Sequence, residues 1–240
     1  HGNDNWFAWK IERVRQRKMS SKEVIVSKFN FLKNSRLNAN IINVYDGEEL
    51  FCYLKPIQNN FTELNYNLCF LLSKWRIENP TISTGTFKVT EERTKKWLID
   101  LVINREDRLI FMIHGLNDEP LGHIGLSNVD FEKNTVELDS VLRGEKNILK
   151  GLMSLCVKQV VKFGLDELKF SEIDLSVFSD NINAVDFYKK LSFKVIDKTP
   201  LIKVIKDDEI KYEMVKNIGN QKIEKYYLKM RFQKELSNEI

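Results

Sequence analysis

Residues 179–193 read SDNINAVDFYKKLSF. Ser179, Asp180 and Asn181 are turn and helix-capping residue types. Ala184, Phe187, Tyr188 and Leu191 then recur at intervals of three and four, which predicts a short helix over 184–191 with one apolar face. Immediately upstream, Ile173, Leu175 and Val177 alternate with charged or small residues, the period of a strand over 170–178, and residues 193–196 resume an extended pattern. Before that strand, Gly151 is followed by LMSLCVKQVVKF, in which Leu152, Leu155, Cys156, Val160 and Phe163 keep helical spacing and Gly164 is the expected C-terminal cap. Residues 136–142 form a further strand, joined to this helix by the loop RGEKNILKG.

The same alternation of strand-length and helix-length segments extends toward the N-terminus. Residues 108–114 and 121–129 read as a hairpin around the turn chemistry of 115–120, and residues 51–57 as another strand. A helix over 63–75 ends before Asn79-Pro80, and a second begins at Thr90, where Glu91 and Glu92 suit the positive end of the helix dipole. Residues 226–232 supply a closing strand, and the polar run between 207 and 222 reads as an excursion. The order points to an α/β (α+β) domain over residues 51–240, preceded by a basic extension over 1–50 whose Lys10–Lys18 run carries five basic residues and one Glu12.

Composition narrows the class. With 42% hydrophobic residues over 240, ten glycines and four prolines, the chain can build a core and is neither collagen-like nor low-complexity. Three cysteines, scattered and odd in number, do not form a disulfide framework and fit a reducing cytoplasmic compartment. The longest apolar runs, residues 68–72 and 109–113, fall far below the roughly 20 residues that span a bilayer, so no membrane association is expected. A net charge of +4, concentrated at the two ends, gives no nucleic-acid surface. No H-x-x-H or C-x-x-C pattern offers a metal site. The Trp6/Trp9 pair and an exposed sheet edge permit a homodimer.

The 179–193 segment resembles the signature N-x-x-A-φ-x-φ-Y-x-x-x-G-F of the GNAT superfamily of acetyl-CoA-dependent acyltransferases: Asn181, Ala184, Val185, Phe187, Tyr188 and Phe193 match, and Ser192 stands where the glycine is usual. The resemblance covers residues 51–193 and the strand at 226–232. It implies the GNAT fold, a mixed sheet whose parallel middle strands splay apart between flanking helices, with acetyl-CoA as cosubstrate and no metal. The phosphate loop is a degenerate match. Gly151 is retained, while Ile148 and Met153 replace the Gln/Arg and the last Gly of Q/R-x-x-G-x-G/A. A helix starting at Gly151 still presents the backbone N–H groups of Leu152 and Met153 and a positive dipole to a pyrophosphate, with Arg143, Lys146 and Lys150 adding charge.

Acyl transfer to an amine requires a base for the ammonium proton, donors for the oxyanion and an acid for the departing thiolate. The resemblance assigns Tyr188 as the acid, Asn181 to the pantetheine arm or the helix cap, and the backbone near Val141 and Leu142 to pantetheine and oxyanion. Three residues are candidates for the base. Glu137 and Asp139 share one strand face, and His123 on the preceding strand has an intrinsic pKa near neutrality. The run Trp75-Arg76-Ile77-Glu78-Asn79 looks like the branch that acetylates nucleotide-activated aminosugars. In that reading Arg76 holds a phosphate, Trp75 stacks on a base or sugar, and Asn79 joins the acceptor site. A protein N-terminus, a lysine or a polyamine is the alternative acceptor, and a non-catalytic CoA-binding module the alternative to an enzyme.

Overall fold

The computed structural model describes residues 20–34, 41–64, 67–80, 85–145, 150–206, 209–215 and 222–234. Its elements are α1 (Ser21–Asn34), β1 (Ile42–Asp46), β2 (Glu49–Pro56), α2 (Phe61–Leu64), α3 (Leu68–Glu78), β3 (Gly85–Thr86), α4 (Glu91–Leu98), β4 (Leu109–His114), β5 (Pro120–Asp130), β6 (Thr135–Arg143), α5 (Leu152–Lys162), β7 (Glu172–Phe178), α6 (Ile182–Lys190), β8 (Phe193–Lys206), β9 (Glu209–Met214) and β10 (Lys225–Phe232). The strands form one sheet in the order β1-β2-β4-β5-β6-β7-β10-β8-β9-β3, antiparallel except where β6 and β7 run parallel. This is the mixed α+β sheet that the sequence resemblance implies.

Each sheet face carries its own core. One joins Ile25 and Phe29 of α1 and Cys156, Val157, Val160 and Val161 of α5 to Leu109, Phe111, Ile124, Leu138 and Leu175. The other packs Leu68, Leu72 and Trp75 of α3 and Leu98 and Val102 against Ile110, Met112 and Leu142. Leu138 and Leu142 are an even number of residues apart yet face opposite cores. The reason is Ser140, which sits at φ +52° inside β6 and inverts the alternation there.

Several expectations are corrected by packing. The expected boundary at residue 50 cuts through the fold, because α1 supplies two fully buried core residues and β1 pairs with β2. The Lys10–Lys18 run and the Trp6/Trp9 pair lie outside the described residues. Gly164 is not a helix cap, since the helix continues as a π-turn over Phe163–Glu167. Gly164 is buried there, where a Cβ would come within 2.7 Å of Ile173 Cδ1. The polar excursion contains β9, which pairs with the long β8. The single helix expected over 63–75 is instead α2 and α3. Ser192, in place of the usual glycine, takes φ +65°, the left-handed conformation that glycine adopts without strain.

Lys33 shows how closely α1 is tied to the domain. It is 2% exposed, and its ammonium donates to the carbonyls of Val102 (2.7 Å), Ile103 (3.3 Å) and Arg105 (2.5 Å) beyond α4, capping that chain end. Burial lowers its pKa to about 8, with Asp107 opposing the shift, so it remains largely cationic at neutral pH. Lys33→Met keeps the stem but strands the carbonyls, and a loss of about 2–3 kcal/mol in urea unfolding is expected. An unchanged midpoint would show that these carbonyls do not need the lysine.

Candidate active site

The parallel β6/β7 ladder has only three rungs, Thr135 with Glu172, Val136 with Ile173 and Glu137 with Asp174. Beyond Glu137 the two strands part, while β7 stays paired to β10 as far as Phe178 and β6 stays paired to β5 as far as Arg143. The gap leaves strand edges facing each other without ladder partners, and a chain bearing amides can lie there and hydrogen-bond to them. Above the gap, α5 begins at Gly151, whose φ of +91° suits glycine and whose missing Cβ leaves open space. The helix start therefore offers bare N–H groups at an exposed position.

Side chains around this start divide by role. Arg143, Lys150 and Gly151 are exposed, whereas Leu152 is buried and Met153 packs on the core, so the last two can contribute only backbone. Lys146 and Ile148 lie outside the described residues. Val141 packs against the α5 core and Leu142 faces the opposite one, so there too the backbone is the available part. Asn181 accepts the Ala184 N–H at 3.2 Å and caps α6, fixing the helix that carries Tyr188. The Tyr188 ring lies edge-on to Phe187 (5.2 Å) and Phe193 (5.8 Å). Burial and the nearby Asp139 carboxylate push its phenol well above the usual tyrosine range, so it stays protonated.

The three base candidates are all on the α3/α4 face of the sheet but in different states. His123 Nδ1 is 2.6 Å from the Ser140 carbonyl, which can only accept, so Nδ1 carries the proton and Nε2 the lone pair. Asp139 accepts the Ser140 N–H through Oδ1 (2.6 Å) and the Arg108 guanidinium through Oδ2 (2.7 Å). Glu137 holds the Asn128 amide at 2.9 Å and lines a cleft of about 420 Å³ with Asn128, Asp130, Lys133, Asp174, Lys229 and Arg231.

Desolvation lowers the His123 pKa to about 4, opposed by the Ser140 hydrogen bond and by Asp139. An imidazole so weakly basic stays neutral but competes poorly for an ammonium proton. It also sets a pH dependence. Between the unfolded value near 6.5 and the folded value near 4, the unfolded chain binds a proton that the folded chain refuses, so stability falls as pH falls through that window. The expected loss is about 2 kcal/mol between pH 7 and pH 5. Urea midpoints at the two pH values should show it in the parent chain and show much less of it in His123→Gln; equal pH dependence in both would remove His123 as the source.

The residues expected at the acceptor are engaged within the protein. Trp75 is fully buried, and its indole Nε1 donates to Glu145 Oε1 at 2.9 Å, so neither ring face is open for stacking. Asn79 caps α3 through its N–H (3.1 Å) and Nδ2 (2.8 Å) on the Trp75 carbonyl. Arg76 donates to the Gly85 carbonyl at 3.1 Å and lies 5.3 Å from the Phe87 ring centroid. Residues not expected from the sequence also enter the site. Tyr227 of β10 stacks on Phe178 at 4.8 Å, and burial with Asp139 and Glu137 pushes its phenol up to about 12. Asp174, 2% exposed, is clamped by Arg231 (2.7 and 3.0 Å) and Lys229 (3.1 Å). Their only trace in the sequence is the alternation of β7 and β10.

Parallel strands that diverge, a glycine-started helix and a half-buried phenol are the features of an acyltransferase fold. Residues 61–194, more than half of the chain, match the family model of the acetyltransferase (GNAT) domain, and the chain belongs to that family: it is an acetyl-CoA-dependent N-acetyltransferase. It is 26% identical over 141 residues to the acetyltransferase PseH of Campylobacter jejuni subsp. jejuni serotype O:23/36 (strain 81-176), covering 58% of this chain and 85% of that protein. In fold it is similar to a probable GNAT-family acetyltransferase of Chromobacterium violaceum, with a TM-score of 0.56, 14% identity and coverage of 83% of this chain and 93% of that one. A second similar structure, of mutant forms of the spermidine/spermine N-acetyltransferase SpeG of Vibrio cholerae, has a TM-score of 0.52, 10% identity and coverage of 81% and 94%.

Proposed function

We propose that the acceptor is the amino group of a nucleotide-activated aminosugar. The observation that carries this reading is the mixed charge of the cleft beside Glu137, where Lys133, Lys229 and Arg231 stand with Asp130, Glu137 and Asp174. A polycation would meet three cationic side chains that already pair with Asp130 and Asp174, whereas a polar sugar carrying a pyrophosphate can exchange with partners of both kinds. The similarity to PseH supports the same reading.

Acetyl-CoA supplies the activated thioester carbonyl. Around it, the helix start at Gly151 receives the pyrophosphate and the open β6 edge holds the pantetheine amides. The amine nitrogen bonds to the carbonyl carbon as the carbon–sulfur bond breaks. Glu137, oriented by Asn128, takes the amine proton, and Tyr188 donates a proton to the departing sulfur. Transfer is direct, within a ternary complex.

The test is release of free thiol from acetyl-CoA with a panel of amines: UDP- and dTDP-linked 4-amino-4,6-dideoxy sugars, spermidine, and peptides with free N-termini or lysines. Turnover with a sugar nucleotide supports the proposal. Turnover with spermidine or peptide and none with any sugar nucleotide overturns it.

A further inference from the structure

We propose that Arg108 is a positioning residue for the reaction: it locks the Ser140 bulge of β6 and thereby sets the backbone that receives the pantetheine arm and the thioester. The inference rests on the placement of acetyl-CoA between β6 and β7.

Ser140 is a non-glycine residue in the left-handed region, and it lies where β6 parts from β7. Such a conformation persists only when its surroundings hold it. Here each polar group of Ser140 is held separately. Its N–H donates to Asp139 Oδ1 (2.6 Å), its carbonyl accepts from His123 Nδ1 (2.6 Å), and its hydroxyl accepts from Arg108 Nη2 (3.1 Å). The same Nη2 reaches Asp139 Oδ2 at 2.7 Å, so Arg108 fixes both the hydroxyl and the carboxylate that holds the N–H.

The route of the Arg108 side chain is specific. It starts just before β4, and its guanidinium reaches Asp139 and Ser140 of β6, two strands away across β5. Trp97 flanks it, with the guanidinium carbon 5.5 Å from the ring centroid. The guanidinium is poorly matched to a purely stabilising role: its Nε is buried without a hydrogen-bond partner among the described residues, and the side chain is only 15% exposed. A buried donor left unpaired is a cost to folding. What the arginine provides in return is the position of the bulge.

The consequence is a division of labour among the expected bases. His123 and Asp139 hold the backbone, and Glu137, bonded to the Asn128 amide outside the clamp, is left for the proton.

The experiment compares the parent chain with Arg108→Met, Arg108→Lys and Arg108→Ala, measuring acetyl-CoA affinity by calorimetry, turnover by thiol release, and thermal melting. Arg108→Met should bind acetyl-CoA about 10-fold more weakly and turn over about 10- to 100-fold more slowly, with a melting temperature within a few degrees of the parent. Arg108→Lys, which can reach Asp139 but cannot fork to the serine as well, should recover only part of the loss. Guanidinium ion should raise the turnover of Arg108→Ala. Arg108→Met with parental affinity and turnover would overturn the inference alone, as would a loss explained entirely by a smaller folded fraction and not relieved by guanidinium. A parent chain that does not bind acetyl-CoA would overturn the placement of the donor and this inference with it. Binding with no turnover on any amine leaves affinity as the deciding readout for the clamp.

Discussion

Tyr188→Phe is expected to lower kcat by about 10- to 1000-fold while leaving acetyl-CoA affinity within about twofold. The substitution removes one oxygen and keeps the ring, so the edge-on contacts with Phe187 and Phe193 remain and α6 stays capped by Asn181. The two effects separate because the hydroxyl is needed only when charge builds on the departing sulfur. A phenol in water has a pKa of about 10, close to that of a departing thiolate. At this site burial and Asp139 raise the phenol further, which ensures that the proton is present at every physiological pH. The same burial destabilises a thiolate, so the relevant comparison is between two desolvated anions. Single-turnover and steady-state thiol release measure the effect. An unaffected kcat would exclude Tyr188 as the acid and turn attention to Tyr227, a second half-buried phenol, on β10.

Gly144→Ala should destabilise the fold by about 2–4 kcal/mol, despite adding a single methyl group. A Cβ at this position would sit 2.1 Å from Trp75 Cε2 and 2.4 Å from Cδ2 and Cζ2. The indole cannot slide aside, because it is fully buried in the α3/α4 core and tied to Glu145 through Nε1. Either the tryptophan leaves the core or the end of β6 is displaced. Because Gly144 follows β6 directly, the second outcome also weakens acetyl-CoA binding. Urea unfolding gives the first quantity and calorimetry the second. Parental stability in Gly144→Ala would mean that the indole has room the packing does not show.

The strands and helices around the gap were legible in the sequence because each follows from local pattern, while the gap itself was what the family resemblance implied. Alternation at 173, 175 and 177, helical spacing after Gly151, and the Asn181–Tyr188 segment each predicted the element observed. What was not legible depends on which faces meet. Trp75, Arg76 and Asn79 looked like acceptor residues because their types suit phosphate and ring recognition, but two lie where α3 turns back into the protein and the third is core. The Ser140 bulge left no trace in the pattern of 136–142, because nothing about a serine signals positive φ. The long-range bonds from Arg108 and His123 to that bulge join positions 32 and 17 residues apart in the chain. Residues 21–50 read as an extension because the signal for α1 is weak in isolation: its apolar residues, with Val24 and Phe31 exposed, do not keep to one face, yet Ile25 and Phe29 are buried completely in the core that α5 shares. Ser192 shows the converse, a departure from the family pattern that the fold absorbs in the conformation glycine would take.

The central claim is that the gap between β6 and β7, with the helix start at Gly151, binds acetyl-CoA for direct transfer. Calorimetric titration of the full chain with acetyl-CoA tests it most directly, alongside desulfo-CoA and 3′-dephospho-CoA as controls. A single saturable site that persists in Tyr188→Phe and weakens in Arg108→Met is the predicted result. No heat of binding from acetyl-CoA with the folded chain, or equal binding by Arg108→Met and the parent together with loss of binding in Tyr188→Phe, would contradict it.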